Sequence, residues 1–124
     1  MTSSPAYAKY PDHRVDVTAK PGRVRVEFAG KTIADSARCL LVAESRHDPV
    51  VYFPREDVAM ELLEAVDDTT FCPFKGTASY FTIRVGDRAA RHAVWSYQDP
   101  YDEVAALARY VAFYRDRIDA QIDS

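Results

Sequence analysis

The most reactive side chains of this sequence cluster in residues 72–80, where a thiol, an amine, a glycine and a phenol fall within nine positions. Lys75 precedes Gly76, and a glycine lets the backbone come close to a bound ligand. If the strand that follows extends back to Lys75, the ammonium points to the apolar side and must be paired there, or its pKa must fall. If Gly76 breaks the alternation, Lys75 lies in solvent. The sequence leaves both interpretations open.

Cys72 can act as a nucleophile if a nearby cation lowers the pKa of its thiol, and Lys75 is close enough in sequence to do so. The spacing assigns it no histidine partner, and a buried structural cysteine is the commoner outcome. Cys39 lies in an apolar run and is expected in the core. Cys72 and Lys75 are therefore the candidate catalytic residues, with no reaction assigned to them.

Arg55 is a further candidate for binding a ligand. It follows an apolar run and precedes Glu56 and Asp57 at a predicted helix start, where a guanidinium and free backbone N–H groups can hold an anion. Helix capping and surface ion pairs explain the two acidic residues equally well. The hypothesis is that Arg55 and Lys75 together hold one anionic group.

Aromatic side chains can add a flat platform for a planar ligand. Tyr80, Trp95 and Tyr97 share one face of a predicted hairpin, although such a cluster in a small β domain is more often core. The candidate ligand-binding residues are Tyr52, Arg55, Cys72, Lys75, Tyr80 and Trp95.

Composition limits the classes of function. Of the 124 residues, 48% are apolar and 28% are charged, which is typical of one folded globular domain. The net charge is −3 and there is no basic run, so nucleic-acid binding is not expected. Apolar runs are too short to span a membrane, and the N-terminus lacks a secretory pattern. With free thiols expected, these features predict a cytoplasmic protein.

No metal ion or other cofactor is expected. The three histidines and two cysteines are scattered, without the CxxC or HxxxH spacing of a zinc site. Asp67 and Asp68 are adjacent in a predicted loop, but a nucleotidyltransferase needs converging carboxylates for magnesium and a glycine motif for phosphate. Adjacent side chains of an extended segment point apart, so this activity is the least supported.

The chain divides into an arm and one domain. Residues 1–22 are polar and contain three prolines, which predicts an extended arm. Val15 and Val17 alternate with polar residues, so a short edge strand is expected there. Residues 23–124 form the single domain.

Strands dominate the first half of that domain. The alternation over residues 23–28 and a turn at Ala29 and Gly30 predict a hairpin with Ile33 opposite Val26. Two further short strands are predicted at residues 39–43 and 50–53.

Two helices are predicted. Residues 54–63 begin with a proline and place two acids at the positive end of the helix dipole. The second helix is capped by Asp99 and continues to Arg109. Residues 110–114 are β-branched and aromatic, and the pattern leaves strand and continuing helix open. Residues 67–70 have loop composition.

A hairpin around Gly86 and Asp87 is the strongest local signal. A two-residue turn places Val85 opposite Arg88, Phe81 opposite His92 and Ala78 opposite Trp95. One face then carries Phe81, Ile83, Val85, His92 and Val94, and the other carries Tyr80, Trp95 and Tyr97. A slip of one residue would move every side chain to the other face.

Three segments occur together in a fixed order: residues 52–58, residues 72–80, and residues 94–97 leading to residues 110–114. In that order they resemble the bacterial domain-of-unknown-function family 427, over about residues 23 to 120. The resemblance implies a mainly β fold with short helices (α+β), a β-tent of two crossing antiparallel sheets similar to the Mss4-like group. Relatives in that group hold zinc with paired cysteines, which this chain lacks, so the architecture is implied without the metal. A nucleotidyltransferase-like label is attached to the family, but no established activity comes with it.

Two functional hypotheses follow. The first is a domain that binds a small anionic or planar molecule in a cleft between the sheets, lined by the candidate residues. The second is a non-catalytic interaction domain that self-associates, as a homodimer, through an exposed strand or aromatic face. Convergence of Arg55, Lys75 and Tyr80 on one pocket favours the first hypothesis, and their scatter over a convex surface favours the second.

Overall fold

Ten strands and a few short helical segments make up the protein in the computed structural model, which describes residues 2–124. The strands are β1 (Val15–Ala19), β2 (Val24–Phe28), β3 (Lys31–Ser36), β4 (Leu40–Glu44), β5 (Val50–Pro54), β6 (Leu63–Cys72), β7 (Gly76–Val85), β8 (Arg88–Ser96), β9 (Tyr110–Phe113) and β10 (Ala120–Asp123). One α-helix, α1, spans Ala6–Lys9, and 3₁₀ segments span Arg55–Asp57, Met60–Leu62, Asp102–Arg109 and Arg115–Arg117. Strands account for 52% of the chain and helices for 17%, which confirms the predicted mainly β class.

The strands form two antiparallel sheets, as expected of a β-tent. The larger sheet has the order β1-β4-β5-β9-β8-β7-β6, and the smaller one has the order β10-β2-β3. The edge strand expected around Val15 and Val17 is β1, which pairs with β4. Within residues 2–124 no helix is long and apolar enough to cross a membrane.

Two hydrophobic cores lie on opposite faces of the seven-stranded sheet. The first joins the two sheets and includes Val26 of β2, Phe53 of β5 and Phe113 of β9. The second lies on the other face, where Val104 and Leu107 of the longest 3₁₀ segment are buried. Side chains that alternate along a strand of the large sheet therefore enter different cores.

The hairpin of β2 and β3 has the predicted turn but a different register. Ala29 and Gly30 both have positive φ, and Phe28 pairs with Lys31 across them. A β-bulge then places Ala34, and not the predicted Ile33, opposite Val26. The bulge allows the consecutive residues Ile33 and Ala34 both to be buried, which regular alternation would forbid.

The hairpin of β7 and β8 also carries a bulge. Val85 pairs with Arg88 as predicted, but Phe81 pairs with Val94, so its predicted pairing with His92 is wrong. Between the pairs Ile83–Ala90 and Phe81–Val94, β8 has two more residues than β7, and His92 has a φ of 53°. A shift of two residues keeps the side chains beyond the bulge on their predicted faces.

Beyond the bulge, the shift changes neighbours without changing faces. Tyr80, and not the predicted Ala78, lies directly opposite Trp95. The prediction that His92 shares the face of Phe81 is wrong, because His92 lies within the bulge. Its ring lies beside that of Tyr80, with the centroids 6.2 Å apart.

The predicted helix over residues 54–63 is wrong. Pro54 ends β5, and two separate 3₁₀ turns follow it. Val58 between them is extended, with φ −120° and ψ 139°, and forms an isolated bridge with Ala34. This tertiary pairing of a β-branched residue outweighs the local helical signals.

The remaining predicted elements are partly right. The second helix is instead two 3₁₀ turns that meet at a kink at Val104, and they begin after Tyr101, later than the predicted cap at Asp99. Residues 110–113 form β9, which settles the open choice for that segment as strand. Residues 67–70, predicted as a loop, lie inside β6, where a register shift after Ala65 leaves them exposed on the sheet edge.

We predict that Phe53→Ala destabilises the protein far more than Phe71→Ala. Phe53 is fully buried and packs edge-on against Phe113, with ring centroids 5.4 Å apart, whereas Phe71 is 62% exposed. The free energy of unfolding in urea should fall by about 3–5 kcal/mol for Phe53→Ala and by less than about 0.5 kcal/mol for Phe71→Ala. Equal losses in the two variants would contradict this assignment of the core.

Candidate functional site

A cavity of about 440 Å³ lies on the seven-stranded sheet where two of its strands separate. β5 and β9 pair only at Phe53–Val111 and Pro54–Tyr110, so the rest of β5 diverges from β9. Side chains from both sides of this gap line the cavity, which is hereafter called the aromatic cavity. Its lining residues are Val42, Glu44, His47, Asp48, Val50, Tyr52, Lys75, Tyr80, Trp95, Tyr97 and Tyr114.

Four of the six predicted ligand-binding residues meet in this cavity: Tyr52, Lys75, Tyr80 and Trp95. All the lining residues belong to the seven-stranded sheet or to its connections. The cavity therefore does not lie in the predicted cleft between the two sheets. A neighbouring cavity of about 560 Å³ shares Trp95 and reaches the smaller sheet at Gln121 and Asp123.

Aromatic rings form the walls of the aromatic cavity. The Trp95 ring lies 4.5 Å from that of Tyr114, centroid to centroid, and 6.1 Å from that of Tyr52. Trp95 Nε1 donates a hydrogen bond of 3.0 Å to the Tyr52 hydroxyl across the gap. Burial raises the pKa of the Tyr52 and Tyr97 hydroxyls, so both phenols stay neutral. The walls therefore suit a flat, uncharged ring.

Lys75 is buried, which settles the choice that the sequence left open. It lies in the turn between β6 and β7, where its N–H donates to the Cys72 carbonyl and its own carbonyl accepts from Tyr101 N–H. Gly76 follows with a φ of 115°, and a Cβ there would come within 3.3 Å of the Asp99 carbonyl oxygen. This turn therefore needs the glycine. It directs the Lys75 side chain into the protein, and Lys75 is only 8% exposed.

Glu44 is the partner that makes burial of Lys75 possible. One of its carboxylate oxygens contacts the Lys75 ammonium, and the other lies 2.9 Å from His13 Nε2. Burial alone would raise the pKa of Glu44, but Lys75, followed by His13, outweighs that effect and holds the pKa below its usual value. The His13 ring stacks on Phe74 at 3.7 Å.

Sequence reasoning missed Glu44 and His13. Glu44 ends a strand and His13 lies in the segment interpreted as an arm, and neither position carries a motif. Their roles arise from pairing between segments 31 residues apart. A short-range pattern contains no signal for such a contact.

The two cysteines lie in different environments. Cys39 is 2% exposed in the first core, as predicted, and burial raises the pKa of its thiol to about 11. Cys72 is partly exposed, and its Sγ lies 3.8 Å from Lys75 Nζ. Cys72 does not itself line the aromatic cavity.

Arg55 lies on the opposite face of the sheet from Lys75. Its Nη2 donates a hydrogen bond of 3.0 Å to Ser96 Oγ, and its guanidinium lies 5.6 Å from the ring centroid of Phe81 in the first core. Ser96 follows Trp95 along β8, and alternating side chains point to opposite faces. The structure therefore does not bring Arg55 and Lys75 around one anion.

Arg55 is also separated from the acidic residues beside it. Glu56 and Asp57 pair with Arg38, at 3.4 Å and 3.1 Å. Burial lowers the pKa of Arg55, with a further contribution from Arg109, and Arg55 Nε is the one buried side-chain nitrogen or oxygen in residues 2–124 without a hydrogen-bond partner.

The predicted carboxylate pair does not line the aromatic cavity. Asp67 and Asp68 are exposed on β6, and Asp68 lies 3.4 Å from His92 Nε2. In the part of the chain that the structure describes, no group of three or more histidine, cysteine or acidic side chains is arranged to hold a metal ion.

Comparison with known families agrees with the sequence resemblance. A family model described as "Domain of unknown function (DUF427)" matches residues 16–124, from β1 to the C-terminus. A search of curated proteins found no match to the chain.

We predict that Lys75→Met destabilises the protein and that a second substitution rescues it. Removing the ammonium leaves the Glu44 carboxylate buried with only His13, which should lower the free energy of unfolding by about 3 kcal/mol. Lys75→Met/Glu44→Gln removes both charges and should recover most of that loss. Urea unfolding at neutral pH measures the free energy of unfolding of the single and the double variant. Lys31→Met, which removes an ammonium on the surface, is the matched control. A double variant as unstable as the single one would contradict the pairing.

The same carboxylate should make stability depend on pH. A carboxyl whose pKa is lowered by folding stabilises the protein above its unfolded pKa, 4.5 for Glu44, and loses that effect as the pH falls through the lower folded pKa. The free energy of unfolding should therefore decline below about pH 4.5, and less steeply in Glu44→Gln than in the parent. Equal slopes would show that Glu44 is not stabilised as a carboxylate.

Proposed function

Because the chain belongs to the DUF427 family, described as a domain of unknown function, we infer its function from the aromatic cavity: we propose that it binds a small, planar, uncharged molecule there. The observation that carries the proposal is the convergence of Tyr52, Lys75, Tyr80 and Trp95 on one cavity. Its volume of about 440 Å³ is within the range of small-molecule sites.

The charges around the cavity favour a neutral ligand over an anion. Lys75 is the one permanent cation among the lining residues, and it is paired with Glu44. Asp48 adds a second carboxylate to the lining. An anion would therefore meet more negative than positive charge, whereas a ring with a polar edge can stack on Trp95 and exchange hydrogen bonds with the ion pair.

The same pairing favours binding over catalysis by Lys75. An amine attacks a substrate through its lone pair, and an ammonium held by a carboxylate has none. Cys72 lies outside the lining of the aromatic cavity, so a molecule bound there contacts Lys75 and not the thiol. Lys75 therefore positions the bound molecule, and Cys72 supports Lys75.

Fluorescence of Trp95 tests the proposal, because it is the single tryptophan of the chain and forms a wall of the cavity. Titration with benzamide, nicotinamide and adenine should produce a saturable change with at least one of these neutral planar probes. Tyr80→Ala should lower the affinity for that probe by about two- to tenfold, which is the effect of losing one aromatic contact.

Arg55→Ala is the matched control, since Arg55 lies on the other face of the sheet and should leave the affinity unchanged. The proposal fails if no probe gives a saturable change. It also fails if Arg55→Ala weakens binding as much as Tyr80→Ala does.

A second candidate function is self-association through β6. This strand has ten residues, lies at the edge of the larger sheet and exposes 62% of Phe71. An unpaired edge strand can add a strand from another copy. Sedimentation equilibrium should then show a concentration-dependent dimer that Phe71→Lys weakens, and a parent protein that remains monomeric throughout would contradict this candidate.

The nucleotidyltransferase-like function is the third and least supported candidate. Asp67 and Asp68 are its only sequence signal, and both are exposed on β6, away from the aromatic cavity. No observation on these residues favours it over the first two candidates.

A further inference from the structure

A separate pocket of about 500 Å³ opens between two turns beside the aromatic cavity. The first turn spans residues 10–13 and is closed by a hydrogen bond of 3.2 Å from His13 N–H to the Tyr10 carbonyl. The second spans residues 44–47 and is closed by a bond of 3.0 Å from His47 N–H to the Glu44 carbonyl. His47 borders both spaces, but none of the aromatic residues of the first cavity lines the second.

The two turns are tied to each other, so the pocket is formed before any ligand arrives. Arg14 N–H donates to Ser45 Oγ, and Ser45 N–H donates to the Arg14 carbonyl, each at 2.9 Å. His13 reaches Glu44 from the first turn to the second at 2.9 Å. Phe74 underlies the His13 ring and forms part of the lining. A preformed pocket spares a ligand the entropic cost of ordering its site.

The charge of the pocket is opposite to that of the whole chain. Lys9 and Arg46 are permanent cations in its lining, and neither takes part in any ion pair found in residues 2–124. Asp12 is the one carboxylate among the lining residues, whereas the chain as a whole has a net charge of −3. Two cations without carboxylate partners, facing one preformed pocket, attract an anion.

We propose that this pocket is a second binding site, which takes the oxyanion group of a small molecule, a phosphate or a carboxylate. The planar fork of Arg46 can hold two oxygens of such a group, and Lys9 supplies a mobile point charge opposite it. The site is distinct from the aromatic cavity, since His47 is the one residue that lines both and neither Trp95 nor Lys75 lines this pocket.

The test is an NMR titration of ¹⁵N-labelled protein with sodium phosphate and, separately, with sodium acetate. Sodium chloride keeps the ionic strength constant. Amide signals of residues 9–13 and 45–47 should shift saturably with at least one of the two anions. Binding of phosphate alone identifies a phosphate-bearing ligand, and binding of acetate alone identifies a carboxylate.

Matched substitutions assign the effect to the two cations. Arg46→Gln and Lys9→Gln should each weaken binding by about tenfold or more, because each removes a charged hydrogen-bond donor. Arg14→Gln is the control, since Arg14 is a neighbouring exposed arginine that pairs with Asp16 and does not line the pocket.

Four results would overturn the proposal: no saturable shift with either anion, equal shifts with sodium chloride alone, unchanged affinity in Arg46→Gln and Lys9→Gln, or an equal loss in Arg14→Gln. The ¹⁵N spectrum of each variant shows whether it is folded. Fluorescence titration of Trp95 with neutral probes is unaffected by these charges, so failure of this site and failure of the aromatic cavity are distinguishable.

Discussion

The buried ion pair between Lys75 and Glu44 is the interaction on which the aromatic cavity depends. Removing two charges from water costs several kcal/mol per ion, so either side chain can be buried only because the other is present. The pair joins the turn before β7 to the end of β4, and His13 adds the N-terminal segment to the same carboxylate. Three parts of the chain are thereby held around one end of the cavity.

The other end of the cavity depends on the short pairing between β5 and β9. These strands share only two residue pairs before they separate, and the gap would expose Tyr52 and Trp95 if nothing bridged it. The hydrogen bond from the half-buried Trp95 indole to the buried Tyr52 hydroxyl spans the gap and gives both polar groups a partner. The separation of the two strands thus leaves a cavity of about 440 Å³, and a side-chain hydrogen bond bridges the gap between them.

The two faces of the larger sheet explain why only some of the predicted site residues lie together. Tyr80, Trp95 and Tyr97 lie together as predicted, because the bulge at His92 shifts the register by two residues and preserves the face of each. Arg55 was predicted to join them, but its partner Ser96 points away from the cavity. The convergence expected of two cations is absent, and the cationic pocket lies elsewhere, at Lys9 and Arg46.

The sequence by itself determined the mainly β class, the two tight turns, the aromatic face and the family resemblance. These follow from alternation and turn chemistry, which act between near neighbours in the chain. Only the tertiary structure decided that Lys75 is buried, that Glu44 and His13 accompany it, and that residues 54–63 are not a helix. Each of these depends on contacts between segments distant in sequence, where burial and pairing outweigh local preference.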